Sequence, residues 1–163
     1  MQKTKTQRYI LWILLFLAAG LVFWFSSQNA ESSSKLSWDV VEQVAEHAPM
    51  HQNVPDSIET AKKSAAWDAV HWFVRKMAHF TLYFIIGFLL MCLMRSYQKC
   101  DKKHVLIALL IGAVYALSDE FHQYFVPGRD AKLLDVLIDT TGVFAGIALS
   151  FAAAWLHGRL KRK

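Results

Sequence analysis

The sequence predicts an all-α polytopic membrane protein, a bundle of four transmembrane helices with an extracellular helical segment between the first two. Three observations lead there. The apolar residues are gathered in blocks: Tyr9–Phe25, Phe80–Met94, Val105–Leu117 and Val143–Leu156 carry no Asp, Glu, Lys or Arg. The chain is 55% hydrophobic with only three prolines and seven glycines in 163 residues, which argues against extended disorder. Its basic residues collect at alternate boundaries of those blocks. A soluble all-α domain is the competing reading, but four such blocks leave too little polar surface to cover them.

A helix needs roughly 20 mainly apolar residues to cross about 30 Å of hydrocarbon. The first block nearly reaches that length alone and gives a span over 9–26. It is expected to be a retained anchor: its apolar run is longer than a signal peptide's, and "SSQNA" lacks a small-x-small cleavage site. The extracellular segment, 27–74, opens with the polar run "SSQNAESSSK", expected to be a linker. "WDVVEQVAEH" then reads as a short amphipathic helix. A second helix starts with capping-box spacing at Asp56 and Glu59 and runs toward the second span. Trp67 and Trp72 suit a membrane interface, and the two helices together are candidates for a lid.

The remaining spans fall at 77–95, 105–126 and 133–156. Eleven of the eighteen Lys and Arg residues, with Asp101 as the lone acid, lie before the first span, between the second and third, or after the fourth. The positive-inside rule therefore expects both termini in the cytoplasm, and the net charge of +5 is a topology signal rather than one for nucleic acid. Cys92 and Cys100 fall on the reducing side in that topology, so no disulfide is expected.

The stretch "ALSDEFHQYFVPGRD" breaks the pattern. Val105–Leu117 supplies about 20 Å of apolar helix, too little to cross, so the helix must continue through "SDEFHQYFV". Asp119, Glu120 and His122 then sit in the outer third of the membrane. Pro127 and Gly128 suit the second and third positions of a tight turn. Asp130 is placed to cap the fourth span. Arg129 and Lys132 run against the positive-inside rule, so something else is expected to hold them, and the nearby carboxylates are candidates.

The fourth span repeats the theme, with Asp135, Asp139, Gly142 and Gly146 along one helical stripe. Its G-x-x-x-G pair permits close helix approach, and a homodimer through it is one partner alternative. In the second span Arg75, His79, Tyr83 and Gly87 follow at steps of four. Three helices thus each present ionisable groups at one level. Each such charge costs at least about 2.5 kcal/mol inside a membrane, so the groups are expected to face one another or a watered cavity. The expected pocket gathers the acids Asp119, Glu120, Asp135 and Asp139 with Arg75, His79, His122, Gln123 and Arg129. Lys76 reads as an interface anchor, Glu120 points about 100° from Asp119 toward the loop, and Tyr83 and Tyr115 read as packing residues. An ion network that only holds the helices together is the structural alternative.

Taken together, Arg75-Lys76-x-x-His79-Phe80 with Tyr83, Asp119-Glu120-x-x-Gln123, Pro127-Gly128-Arg129, Asp135 and Gly142 resemble the VanZ-like family of small bacterial membrane proteins. The likeness covers about residues 75–146. Asp139 departs from the family's usual Asn. The resemblance implies a Gram-positive cell-envelope setting and a link to resistance against glycopeptide antibiotics, the lipid-tailed teicoplanin type above all. It implies no mechanism.

Binding is the favoured reading: an outward-facing pocket engages a lipoglycopeptide, a cell-wall precursor or a lipid headgroup, with Arg75 and Arg129 suited to phosphate or carboxylate. The alternative is a small intramembrane hydrolase or transferase, with His79 or His122 as base and Asp119 or Asp135 orienting it. His and carboxylates make metal use conceivable, but the spacing matches no H-E-x-x-H, and the chain contains no G-x-S-x-G and no glycine-rich phosphate loop; no metal and no cofactor are expected.

Overall fold

A computed structural model describes residues 4–28, 35, 65–98, 100–129 and 131–160. Four helices form it: α1 (Lys5–Ser26), α2 (Ala65–Tyr97), α3 (Lys102–Gln123) and α4 (Leu133–Leu160). Each is long and apolar enough to cross a membrane. No strand occurs among the described residues. The helices expected around Trp38–His47 and from Asp56, the lid they would form, and the Asp130 cap lie outside the described residues.

Local chemistry sets the helix ends. Thr4 and Gln7 form a capping box at the start of α1, and Asp101 with His104 forms another at the start of α3. The Asp101 carboxylate accepts from the Lys103 and His104 backbone amides at 2.9 and 3.3 Å. The side-chain hydrogen bond with His104 holds Asp101 below its usual carboxylate value. α3 stops at Gln123, three residues short of the expected 126. There the chain enters the turn that Pro127 and Gly128 dictate: the Arg129 amide donates to the Val126 carbonyl at 3.2 Å, and Gly128 takes φ 75°. α2 spans 33 residues, about 50 Å of helix, so it runs well past the hydrocarbon.

The α2–α4 pair forms the spine. A Cβ on Gly142 would stand 2.7 Å from the Phe80 carbonyl oxygen, and one on Gly146 would overlap the Phe84 carbonyl oxygen. From the other side, a Cβ on Gly87 would overlap the Val143 backbone. The glycine stripe of α4 is therefore already covered by α2 within one chain. Val143, Ile147, Tyr83, Ile86, Leu90 and Met91 fill the core beside it, with Ala108 and Ala116 from α3 and Ala18 and Val22 from α1. Outward, Ile13, Phe16, Leu110, Val114, Leu137 and Phe144 are exposed, as lipid-facing side chains are.

Both ends carry polar groups. At the end near the termini, Arg8 lies 4.5 Å over the Tyr97 ring, and Trp12 donates to the Tyr97 hydroxyl at 3.2 Å. Arg95 donates to the Ser150 carbonyl at 2.7 Å. Neither Cys92 nor Cys100 is in a disulfide. The opposite end, closed by the α3–α4 turn, holds the ionisable cluster.

Candidate functional site

Buried polar residues concentrate at the turn end: Ser26, Asp119, Glu120, Gln123, Arg129, Asp135 and Asp139 are all buried there. α2 supplies Arg75, Lys76 and His79 within its apolar window or one turn of its start. α3 supplies Asp119, Glu120 and Gln123 from its last two turns, and α4 supplies Asp135 and Asp139 from its first two. The periodic placement of these residues on three helices brings them to a common level, as the sequence predicts.

The groups largely satisfy one another. Lys76 is ion-paired with Asp135, both side chains almost out of solvent. Lys76 also lies 5.9 Å from the Trp72 ring centre. The Asp119 carboxylate accepts from the Ser26 hydroxyl at 2.8 Å and from the Gln123 amide at 3.0 Å. Glu120 accepts from the Lys132 backbone amide at 2.5 Å. His79 Nδ1 stands between two carboxylates, 4.0 Å from Asp119 and 3.9 Å from Asp139.

Arg75, Lys76, His79, Glu120, Gln123, Asp135 and Asp139 line one narrow cleft. Its space, open mouth included, is about 230 Å³, so the enclosed part is much smaller. Pockets for drug-sized ligands run to roughly 300–1,000 Å³. The cleft therefore holds about one water or ion, and a whole glycopeptide does not fit inside it.

Arg129 differs from its neighbours. It is only 7% exposed, and Nη2 donates to the Phe25 carbonyl at the end of α1 at 3.2 Å. Its Nε and Nη1 are buried without a hydrogen-bond partner among the described residues. The expectation that nearby carboxylates are candidates to hold it is corrected: among the described residues no ion pair forms, and the bonded partner is a helix C-terminal carbonyl, where a cation complements the unpaired C=O groups and the dipole. Burial, and then the nearby Arg75 charge, push Arg129 down to about 10. It is still a cation at neutral pH.

Other residues depart from the sequence reading. Lys76 is a partner of Asp135 rather than a plain interface anchor. Glu120 does reach the loop, through Lys132, and also lines the cleft. His122 turns away from the cleft: it stacks on Phe23 at 4.6 Å and its Nε2 is 3.2 Å from the Ser27 hydroxyl. Tyr115 packs and donates to the Ala19 carbonyl at 2.7 Å, whereas the Tyr83 hydroxyl is buried with no hydrogen-bond partner among the described residues. Ser26 escaped the sequence reading, because a serine where an apolar helix meets a polar run is ordinary.

A model of the VanZ/LLP1 family matches residues 11–155, nearly the whole chain. No curated protein and no solved structure matches.

Proposed function

Because the chain belongs to the VanZ/LLP1 family, we propose that it contributes to resistance against lipoglycopeptide antibiotics by binding an anionic group at the outer membrane face. That face is the turn end of the bundle, a placement supported by the basic residues gathered at the termini and the α2–α3 loop. The setting is the Gram-positive cell envelope, and the role is binding rather than catalysis. The observation that carries this reading is Arg129, buried and cationic, with two of its three guanidinium nitrogens unused. A buried donor without a partner costs about 1–3 kcal/mol, more for a charged group, and a phosphate or carboxylate oxygen relieves that cost. Arg75 adds a second positive charge beside it. The narrow cleft, lined by Arg75 but not by Arg129, admits only the anionic end of a lipid headgroup, a cell-wall precursor or the antibiotic, and side chains at its wall must move for that anion to reach the buried Arg129 nitrogens.

The test is survival of cells under a lipid-tailed glycopeptide, with expression of each variant matched. Arg129→Gln and Arg75→Gln should each forfeit most of the protection given by the parent. Full protection by both, at equal expression, would remove the site from the function.

One observation favours a second reading, hydrolysis or transfer at a lipid headgroup: His79 lies between two carboxylates on the wall of the cleft. His122 is too far turned toward Phe23 to share that role. Headgroup composition of defined vesicles, followed during long incubation with purified protein, separates the readings. Unchanged lipids leave binding.

A further inference from the structure

Three helices each bring one metal-ligating side chain to the same point. His79 comes from α2, Asp119 from α3 and Asp139 from α4, and one ligand atom from each lies within 4.8 Å of the others. Ligands on a first-row dication sit about 2.0–2.2 Å from the metal, so pairs of them are about 3–4.4 Å apart. The separations of 4.0 and 3.9 Å around His79 Nδ1 already fall in that range. Rotamer-scale movement closes the rest.

Two further features are independent of that spacing. The Tyr83 hydroxyl, one turn along α2 from His79, is fully buried and has no hydrogen-bond partner. It stands within electrostatic reach of both Asp119 and Asp139. A buried hydroxyl ordinarily finds a hydrogen-bond partner; this one has none among the described residues, which leaves its oxygen available to a cation. Second, among the described residues no hydrogen bond closes on the Asp139 carboxylate, although Asp139 is only 3% exposed. Asp119 has Ser26 and Gln123, Glu120 has Lys132, and Asp135 has Lys76. Among the described residues, the ion-pair contact of Asp139 is with His79 alone.

We propose that His79, Asp119 and Asp139, with the Tyr83 hydroxyl beside them, form a binding site for a divalent first-row metal cation. The donor set of one imidazole nitrogen with carboxylate and phenol oxygens suits Mn²⁺, Fe²⁺ or Zn²⁺ better than a soft monovalent ion. His79 and Asp139 line the cleft, which supplies the access path and has room for about one ion. No sequence motif announces such a site, because each ligand comes from a different helix. The nearby charges of Arg75, Lys76 and Arg129 oppose a cation. An anion seated on Arg129 offsets them, so cation and anion should bind more tightly together than apart.

The experiment is Mn²⁺ and Zn²⁺ titration of tag-free, full-length protein, read by calorimetry and Mn²⁺ resonance. It is run in phosphatidylcholine nanodiscs and in nanodiscs containing phosphatidylglycerol. Saturable binding of one ion per chain in either lipid supports the site. Asp139→Asn and His79→Gln should each weaken it at least tenfold, and Tyr83→Phe, which keeps the core volume, by a few-fold. Asp101→Asn at the other end of the bundle should leave it unchanged. Binding only with phosphatidylglycerol supports the site and its coupling to the anion. Binding in phosphatidylcholine that phosphatidylglycerol does not tighten supports the site and overturns its coupling to the anion. No saturable binding in either lipid, or undiminished binding by folded Asp139→Asn and Tyr83→Phe proteins, overturns the proposal.

Discussion

Replacing Lys76 by Met should cost far more than the loss of a surface lysine. Lys76 and Asp135 are in direct ionic contact, with side chains only 13% and 11% exposed. At an effective dielectric near 20, two charges about 4 Å apart attract by roughly 4 kcal/mol. The desolvation of both ions offsets much of that, so the intact pair adds little net stability. Removing one partner is different. Lys76→Met strands Asp135 beside Glu120 and Asp139, which line the same cleft, and the expected loss is about 3–5 kcal/mol. Loss of the contact with Trp72 adds about 0.5–1 kcal/mol. Asp135→Asn alone strands the lysine at a similar cost. The double variant should lie well short of the sum, with about 2–3 kcal/mol of coupling. The assay is equilibrium unfolding of the four proteins in mixed micelles, followed by tryptophan fluorescence. Single variants within about 1 kcal/mol of the parent, or strictly additive effects, would refute the reasoning that this pair is buried and mutually dependent.

The close helix contact makes a sharp comparison. Gly146→Ala and Gly142→Ala should each destabilise by about 1–3 kcal/mol through overpacking against α2, whereas Gly20→Ala, with open space around it, should gain a few tenths to about 1 kcal/mol in the same unfolding assay. Asp101→Ala should lower stability measurably through loss of the α3 cap. Because folding holds Asp101 below its ordinary value of 3.8, the cap's contribution is full above that pH and fades as pH falls below it, so parent and variant should converge in acid. Single cysteines at Gly128 and at Lys102, in a background without Cys92 and Cys100, should be labelled by an impermeant thiol reagent on intact cells only at position 128. The reverse pattern would invert the topology.

Much of the bundle was legible because apolar block length and helical periodicity are local signals. The 3.6-residue repeat alone put Asp135, Asp139, Gly142 and Gly146 on one face, and that face is the one packed on α2. The turn at Gly128 was equally local, since Pro and Gly restrict their own backbone. What failed was partner choice across helices. Lys76 and Arg75 are neighbours on α2 and both basic, and only the position of α4 decides which of them meets Asp135. Arg129 found a carbonyl rather than a carboxylate because α1 ends beside it, a fact set by the length of a helix about a hundred residues earlier. His122 shares the depth and nearly the face of Asp119, yet it packs on Phe23 and Ser27 at the end of α1 rather than lining the cleft, a choice set by where α1 ends. Helical spacing already grouped His79, Asp119 and Asp139 in one pocket, but their convergence to within 4.8 Å depends on how three helices pack, which spacing does not give.

The most direct test of the anion-binding claim is native mass spectrometry of the protein released from nanodiscs that mix phosphatidylcholine with a phosphate-headed lipid. The parent should retain the phosphate-headed lipid, and Arg129→Gln should reduce that retention roughly 10- to 100-fold, as loss of a charge-assisted hydrogen bond worth about 1.5–3 kcal/mol requires. Equal retention by the parent and a folded Arg129→Gln protein would contradict the account.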